Sequence, residues 1–418
     1  MRSSTLIAAG LCSCLFVLPC PAEPGFALVP AAAFTAGDPE AVCGSSMREV
    51  TLTRDYWFAT TEVTNAEFVD RLQAAYDAGW VAVEGTRVRD TTGSGATLCE
   101  LGTWYAELQF ADGVFSVREA PYALINAYPG GYTPASHPVV RVTWFGAAAY
   151  CNWRSIEEGL PPAYDPFTWE CNGGDPYGAV GYRLPMDAES EWAGRFPDGR
   201  NHPWGDDPAD CTRANHSTGT NYCRGWTAPV GSFPAGVSAL GIYDLGGNVG
   251  EWCNDYWVCV APTDPVIDPL GPPTGTKKVL HGGGWFYGAP YTRCATRDAD
   301  DPDFGYEGQG FRIARTALAP AQVSGAGGGR GGELRLLTHP VRGGEGLRLR
   351  LPSERGERAE LQVYDVSGRG LSRITVAPHV ETVTLATRDL VPGRYWVRLA
   401  GPTPDSLRPA AISFVVVR

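Results

Sequence analysis

The chain has 418 residues, 44% hydrophobic and 11% aromatic, with 52 glycines, 34 prolines and a net charge of −12. That much apolar surface excludes a disordered chain, and the acidic balance argues against general nucleic-acid or anionic-membrane binding. The length suggests two or three domains, and the glycine and proline content predicts many loops.

Met1-Arg2, an apolar run from Leu6 to Leu18 and the small residues of Cys20-Pro21-Ala22 follow the pattern of a secretory signal peptide over 1–22. Lipid attachment at Cys14 or Cys20 fits less well, because Pro21 and the short run before Cys14 are poorly placed for it. No other segment approaches the ~18 unbroken apolar residues of a membrane span. The expectation is an exported protein without a transmembrane anchor, secreted, cell-surface or periplasmic. Nine of the 12 cysteines then remain: Cys43, Cys99, Cys151, Cys171, Cys211, Cys223, Cys253, Cys259 and Cys294. None forms a Cys-x-x-Cys pair, so disulfides are expected rather than a zinc ribbon. Cys211–Cys223 and Cys253–Cys259 are candidate short-loop pairs.

Along residues 23–317, Thr64-Asn-Ala-Glu67 is a capping box that predicts a helix with Phe68, Leu72 and Tyr76 on one face. Thr143 precedes a second helical stretch through Ala147, Cys151 and Arg154. Asp187 to Arg195 predicts a third. The remainder is rich in Gly, Pro and Trp, so disulfides, bound ions and buried tryptophans are expected to hold it. Residues 318–332 read as a Gly-rich linker. From 333 to 418 the runs alternate with period two, as in Leu347-Arg-Leu-Arg-Leu351, which predicts roughly seven strands in a small all-β sandwich. That segment holds 13 arginines and nine acidic residues, net +4, which leaves −16 on the first 332.

Several motifs occur in one order: Glu62-Val-Thr-Asn65, His137-Pro-Val139, Val142-Thr-Trp144, Ala149-Tyr-Cys-Asn-Trp153, Tyr182-Arg-Leu-Pro185, Pro203-Trp-Gly205, Gly241-Ile-Tyr-Asp244, Gly247-Asn-Val-Gly-Glu-Trp252, Gly282-Gly-Gly-Trp285 and Gly310-Phe-Arg312. Together they resemble the formylglycine-generating enzyme (sulfatase-modifying factor) family. The resemblance implies an α+β, loop-rich fold related to C-type lectins. It also implies, for catalytic members, oxidation of a sulfatase cysteine to formylglycine with copper and oxygen. The tail, with Val363-Tyr-Asp-Val-Ser-Gly368, resembles immunoglobulin-like domains that end many exported bacterial proteins, some of which engage export machinery.

The family holds copper(I) with two soft cysteine thiolates. Tyr287 stands where the first is expected, nothing matches the second, and Cys294 matches a structural cysteine. Neither copper ligand carries over, so copper is not expected. Ile313 and Gly194 stand where family disulfide partners are expected; Cys151 and Cys294 must pair elsewhere or stay free, and Cys151–Cys171 is one candidate bridge.

Calcium takes hard oxygens. The resemblance implies one site from Asp244 and Glu251 side chains with carbonyls of Gly247 and Val249. It implies a second from Asn215 and Asn221 side chains with carbonyls of His216 and Cys223. His137, His202, His216 and His281 are scattered, and an iron site of two histidines and a carboxylate would need folding to gather them. Asp298-Ala-Asp-Asp-Pro-Asp303 reads as a solvated acidic loop.

The leading expectation is a calcium-supported, non-catalytic binding or scaffold module. Its recognition surface would be the exposed aromatics Trp285, Tyr287, Tyr291 and Phe304, meeting a peptide, protein or glycan. The alternatives are an oxidase using Cys294, a non-haem iron oxidoreductase acting on a protein cysteine or small thiol, or a structural part of an export or adhesion assembly.

Overall fold

The computed structural model describes residues 24–43, 46–118 and 131–317, and in the C-terminal part 335–336, 341–342, 346–351, 358–364, 370–380, 382–387, 390, 393–400 and 411–417. The expected signal segment 1–22, with Cys14 and Cys20, and the expected linker 318–332 lie outside the described residues.

The front part begins with β1 (Phe26–Val29), β2 (Ala32–Ala36), β3 (Arg48–Leu52) and β4 (Tyr56–Ala59). Helix α1 (Asn65–Asp77) is followed by β5 (Val81–Glu84), β6 (Arg87–Asp90), β7 (Thr97–Glu100), β8 (Leu108–Ala111) and β9 (Val114–Val117). Then come α2 (Trp144–Glu157) and α3 (Asp187–Arg195). The strands β10 (Gly250–Tyr256), β11 (Val266–Ile267), β12 (Lys278–His281), β13 (Arg297–Asp300), β14 (Gln309–Gly310) and β15 (Ala314–Thr316) complete it. The sheets are small: β1-β4-β15, β11-β3-β2, β5-β6-β7, the β8-β9 hairpin and the four-stranded β13-β12-β10-β14.

Local signals set the helices. Thr64 caps α1 in a full capping box with Glu67, and Phe68, Leu72 and Ala75 face the core. The Thr143 hydroxyl accepts from Gly146 N–H at the start of α2. Phe68 is fully buried, stacked on Tyr150 and edge-on to Phe311, so it joins α1, α2 and the Gly-Phe-Arg segment. Helix α3 is pinned by a buried bidentate pair: Arg183 Nη1 and Nη2 meet Glu189 at 2.6 and 2.7 Å.

Indole N–H groups help to hold the loops. Trp144 Nε1 donates to the Cys253 carbonyl (2.8 Å), and Trp252 Nε1 donates to the Val142 carbonyl (3.1 Å). Trp192 reaches Pro30 O and Trp285 reaches Glu307 O.

The cysteines depart in part from expectation. Cys211–Cys223 forms, but Cys259 pairs with Cys43 rather than Cys253. Strand β10 turns Cys253 inward, its thiol 3.5 Å from Ser190 Oγ, while the chain runs on to meet Cys43. Cys151 and Cys171 are not bridged; both are buried thiols that burial pushes up, Cys171 to about 12. The acidic stretch is also not simply a solvated loop. Arg297–Asp300 pairs with β12, and only the residues after Asp300 turn out of the sheet.

In the C-terminal part, eight strands are described: β16 (Arg335–Leu336), β17 (Val341–Arg342), β18 (Gly346–Arg350), β19 (Ala359–Tyr364), β20 (Gly370–Val376), β21 (Thr382–Ala386), β22 (Gly393–Ala400) and β23 (Ala411–Val417). They form two sheets, β16-β18-β21 and β17-β23-β22-β19-β20. Leu347, Leu349, Leu361, Val363, Val397 and Leu399 make a separate apolar cluster, as the period-two pattern dictates.

Candidate functional site

The register of the four-stranded sheet builds the site. Strand β13 pairs antiparallel to β12, with Asp298 opposite Leu280 and Asp300 opposite Lys278. Strand β14 runs parallel to β10, with Gln309 beside Gly250. Residues two apart on a strand share a face, so Asp298 and Asp300 point together into a pocket of about 260 Å³. Its walls are Phe286, Tyr287 and Tyr306, and Gln309 and glycine backbone complete it.

The Tyr287 hydroxyl hydrogen-bonds Asp298, and burial together with the Asp298 and Asp300 charges holds its pKa well above the usual phenol range. Tyr291 stacks on Tyr287 at 4.5 Å between ring centroids. Gln309 Nε2 donates to Asp300 Oδ2 at 2.7 Å, and Gln309 Oε1 accepts from Tyr306 N–H. These contacts fix two carboxylates side by side among aromatic faces. Such a site suits a compact cation.

The expected aromatic surface is only partly assembled. Trp285 is 5% exposed and packs with Trp226, Val140 and Val249, so it is core rather than a surface contact. Tyr287 and Tyr291 are half-buried, and Phe304 is 49% exposed beside Tyr306. Cys294 does not line the pocket: its thiol is buried against Gly194 of α3, and burial raises its pKa.

A second centre lies at the far side of β10. Glu62, Asp244 and Glu251 are all buried around Arg312. Arg312 Nε and Nη2 each meet a Glu251 oxygen at 2.5 Å. Asp244 Oδ2 accepts from Gly231 N–H at 2.6 Å, and Glu62 Oε1 accepts from Asn248 Nδ2 at 2.9 Å. Burial pushes Asp244 up to about 6 and Glu62 well above its usual value. Three carboxylates share one guanidinium, and the Asp244 and Glu62 side chains also hydrogen-bond each other. That donor set fits a hard cation. Because Arg312 takes both Glu251 oxygens, Glu62 and Asp244 are the freer ligands. In the sequence Glu62 stands out only as the first residue of Glu62-Val-Thr-Asn65.

Of the other expected ligands, Asn215 is buried with Oδ1 unpartnered, while its Nδ2 donates to Trp226 O. Asn221 is exposed, at a turn whose carbonyl accepts from Thr218 N–H. The His216 carbonyl accepts from Cys223 N–H. The histidines stay apart. His137 meets Thr227, and burial lowers its pKa to about 4; His202 stacks on Trp204; His281 Nε2 is 2.5 Å from Asp187. No pair of histidines shares a carboxylate among the described residues.

The sequence reads Asp298 and Asp300 as parts of a solvated acidic loop, whereas they pair with β12 and line the pocket, and nothing in the sequence singles out Gln309. The alternation in Arg297-Asp-Ala-Asp300 was the signal that could have found the pair.

Comparison with known proteins supports the motif reading. Residues 18–317 match the sulfatase-modifying factor enzyme 1-like domain. The formylglycine-generating enzyme of Thermomonospora curvata is 34% identical over 232 residues, covering 48% of this chain and 66% of that one. The Bos taurus formylglycine-generating enzyme is 33% identical over 196 residues, covering 44% and 45%. The serine/threonine-protein kinase Pkn1 of Chlamydia trachomatis is 34% identical over 187 residues, covering 43% and 24%. The chain thus spans about two thirds of the first of these relatives and less than half of the other two. Among solved structures, Treponema denticola variable protein 1 aligns with 70% of this chain and 95% of its own, at 23% identity and a TM-score of 0.47. The match over 18–317 shows that the chain belongs to the sulfatase-modifying factor enzyme 1-like family.

Proposed function

We propose that this chain is an exported, calcium-supported binding module of its family rather than a cysteine oxidase, and that the pocket beside Tyr287 receives a cationic group of a peptide or protein ligand. The observation that carries this reading is the pairing of Asp298 and Asp300 on one strand face under Tyr287. A phenol and two carboxylates are hard ligands that suit copper(I) poorly, and Cys294 lies buried outside the pocket. Calcium would be held by oxygens of Asp244 and Glu62, with Glu251 shared with Arg312 and the Gly247 and Val249 carbonyls nearby in sequence. The Asn215 and Asn221 set, with carbonyls of His216 and Cys223, is a weaker second site of neutral amides. The C-terminal strands would form an immunoglobulin-like sandwich that engages export machinery.

The test is binding of lysine- and arginine-containing peptides against their glutamate counterparts. Asp298→Asn with Asp300→Asn should abolish the preference; a preference for acidic peptides would sink the reading. The second reading, a formylglycine-generating oxidase, is favoured by the names of the relatives. Conversion of a cysteine peptide to formylglycine in the presence of copper(I) would establish it.

A further inference from the structure

Three side chains outside both centres converge at the Cys211–Cys223 disulfide. An imidazole nitrogen of His216 and both sulfurs lie within 4.8 Å of one another. His216 is 3% exposed, and its Nδ1 lies 2.8 Å from the Ser217 carbonyl. A carbonyl only accepts, so Nδ1 carries a hydrogen, and Nε2 is the nitrogen available to a metal. That Nε2 is buried without a hydrogen-bond partner. An imidazole whose tautomer is fixed by a backbone carbonyl at one nitrogen, with the other nitrogen unspent, is the arrangement of a metal-ligating histidine.

The loop does not depend on the sulfur bond to keep this shape. Cys223 N–H donates to the His216 carbonyl, Thr218 N–H donates to the Asn221 carbonyl, and Ser217 bridges Tyr222. Both cysteines are half-buried, within reach of a small reductant.

We propose that Cys211, His216 and Cys223 form a latent zinc site that opens when the disulfide is reduced. Two equivalents of a small thiol break the S–S bond. Each protein sulfur gains a hydrogen, and the small thiol leaves as its own disulfide. Zinc then displaces the two thiol protons to solvent and binds two thiolates and the imidazole, with its fourth position open to water or a further ligand. Soft sulfur and imidazole donors select zinc over calcium; the site uses the side chains of His216 and Cys223, whereas the weaker second calcium set would use their backbone carbonyls.

The test uses the full chain, oxidised or reduced with a phosphine that is then removed, and titrated anaerobically with cobalt(II) and then zinc. The reduced protein should take up one cobalt with a thiolate-to-cobalt charge-transfer band that zinc bleaches; the oxidised protein should show none. Cys211→Ser with Cys223→Ser should lose the band. His216→Gln should weaken zinc binding by roughly tenfold or more, since even outer-shell changes cost that much. A band of equal strength before reduction, a band surviving in the double-serine variant, unchanged affinity in His216→Gln, or no band in reduced protein would each overturn the proposal. So would loss of the near-ultraviolet dichroism on reduction of a chain carrying Cys43→Ser and Cys259→Ser, because backbone hydrogen bonds hold the Cys211–Cys223 loop without its bridge.

Discussion

The sulfur of Cys294 lies 2.8 Å from where a Cβ on Gly194 would stand. A Cβ and the opposite sulfur of a disulfide are about 3 Å apart, given an S–S bond of about 2.05 Å. Gly194→Cys should therefore cross-link to Cys294 with little adjustment. The bridge would close a loop of about 100 residues and raise unfolding stability by about 2–4 kcal/mol in oxidising buffer. Non-reducing peptide mapping and melting with and without reductant check it; two free thiols at these positions would refute the geometry.

Asp255 is buried, accepts from Asp187 N–H at 2.8 Å, and is pushed up to about 7 by burial and the Asp187 charge. A carboxyl whose folded pKa is raised contributes stability that is complete below its unfolded value, about 4, and lost as pH climbs through about 7. Asp255→Asn should flatten that decline, with a difference on the order of a few kcal/mol between pH 5 and pH 8. Parallel slopes for the two proteins in urea unfolding would count against it.

Removing Arg312 leaves Glu251 with no cation, beside Asp244 and Glu62. Arg312→Met should destabilise the protein by about 3–5 kcal/mol, the usual result of breaking a buried pair from one side. The loss should be smaller in calcium than in chelator if the cluster holds that ion. An equal loss in both conditions would speak against a cation there.

Phe68→Ala removes the ring that joins α1 to Tyr150 and Phe311. A fully buried phenylalanine costs about 3–5 kcal/mol on truncation. Denaturant midpoints measure it, and a change below 1 kcal/mol would mean that the three elements are not coupled through this ring.

Elements with local causes were legible in the sequence. Thr64 and Glu67 announce α1, Thr143 caps α2, and α3 spans Asp187–Arg195 as its residues suggest. What escaped depends on chain return. Cys259 finds Cys43, 216 residues away, because the start of the chain packs back beside the later strands. Trp285 looks like a surface aromatic in a glycine-rich loop, yet Trp226 and Tyr222 close over it. Asp298 and Asp300 read as solvated until β12 supplies a partner strand. Glu62 gains its meaning only from Asp244 and Arg312, far along the chain.

The two indole bonds between residues 142–144 and 252–253 run in opposite directions, one from each segment. The roots of the intervening loops are thereby clamped twice, by chemistry that depends on neither redox state nor bound ions. Loop tips can then lengthen or change composition without shifting the frame beneath them.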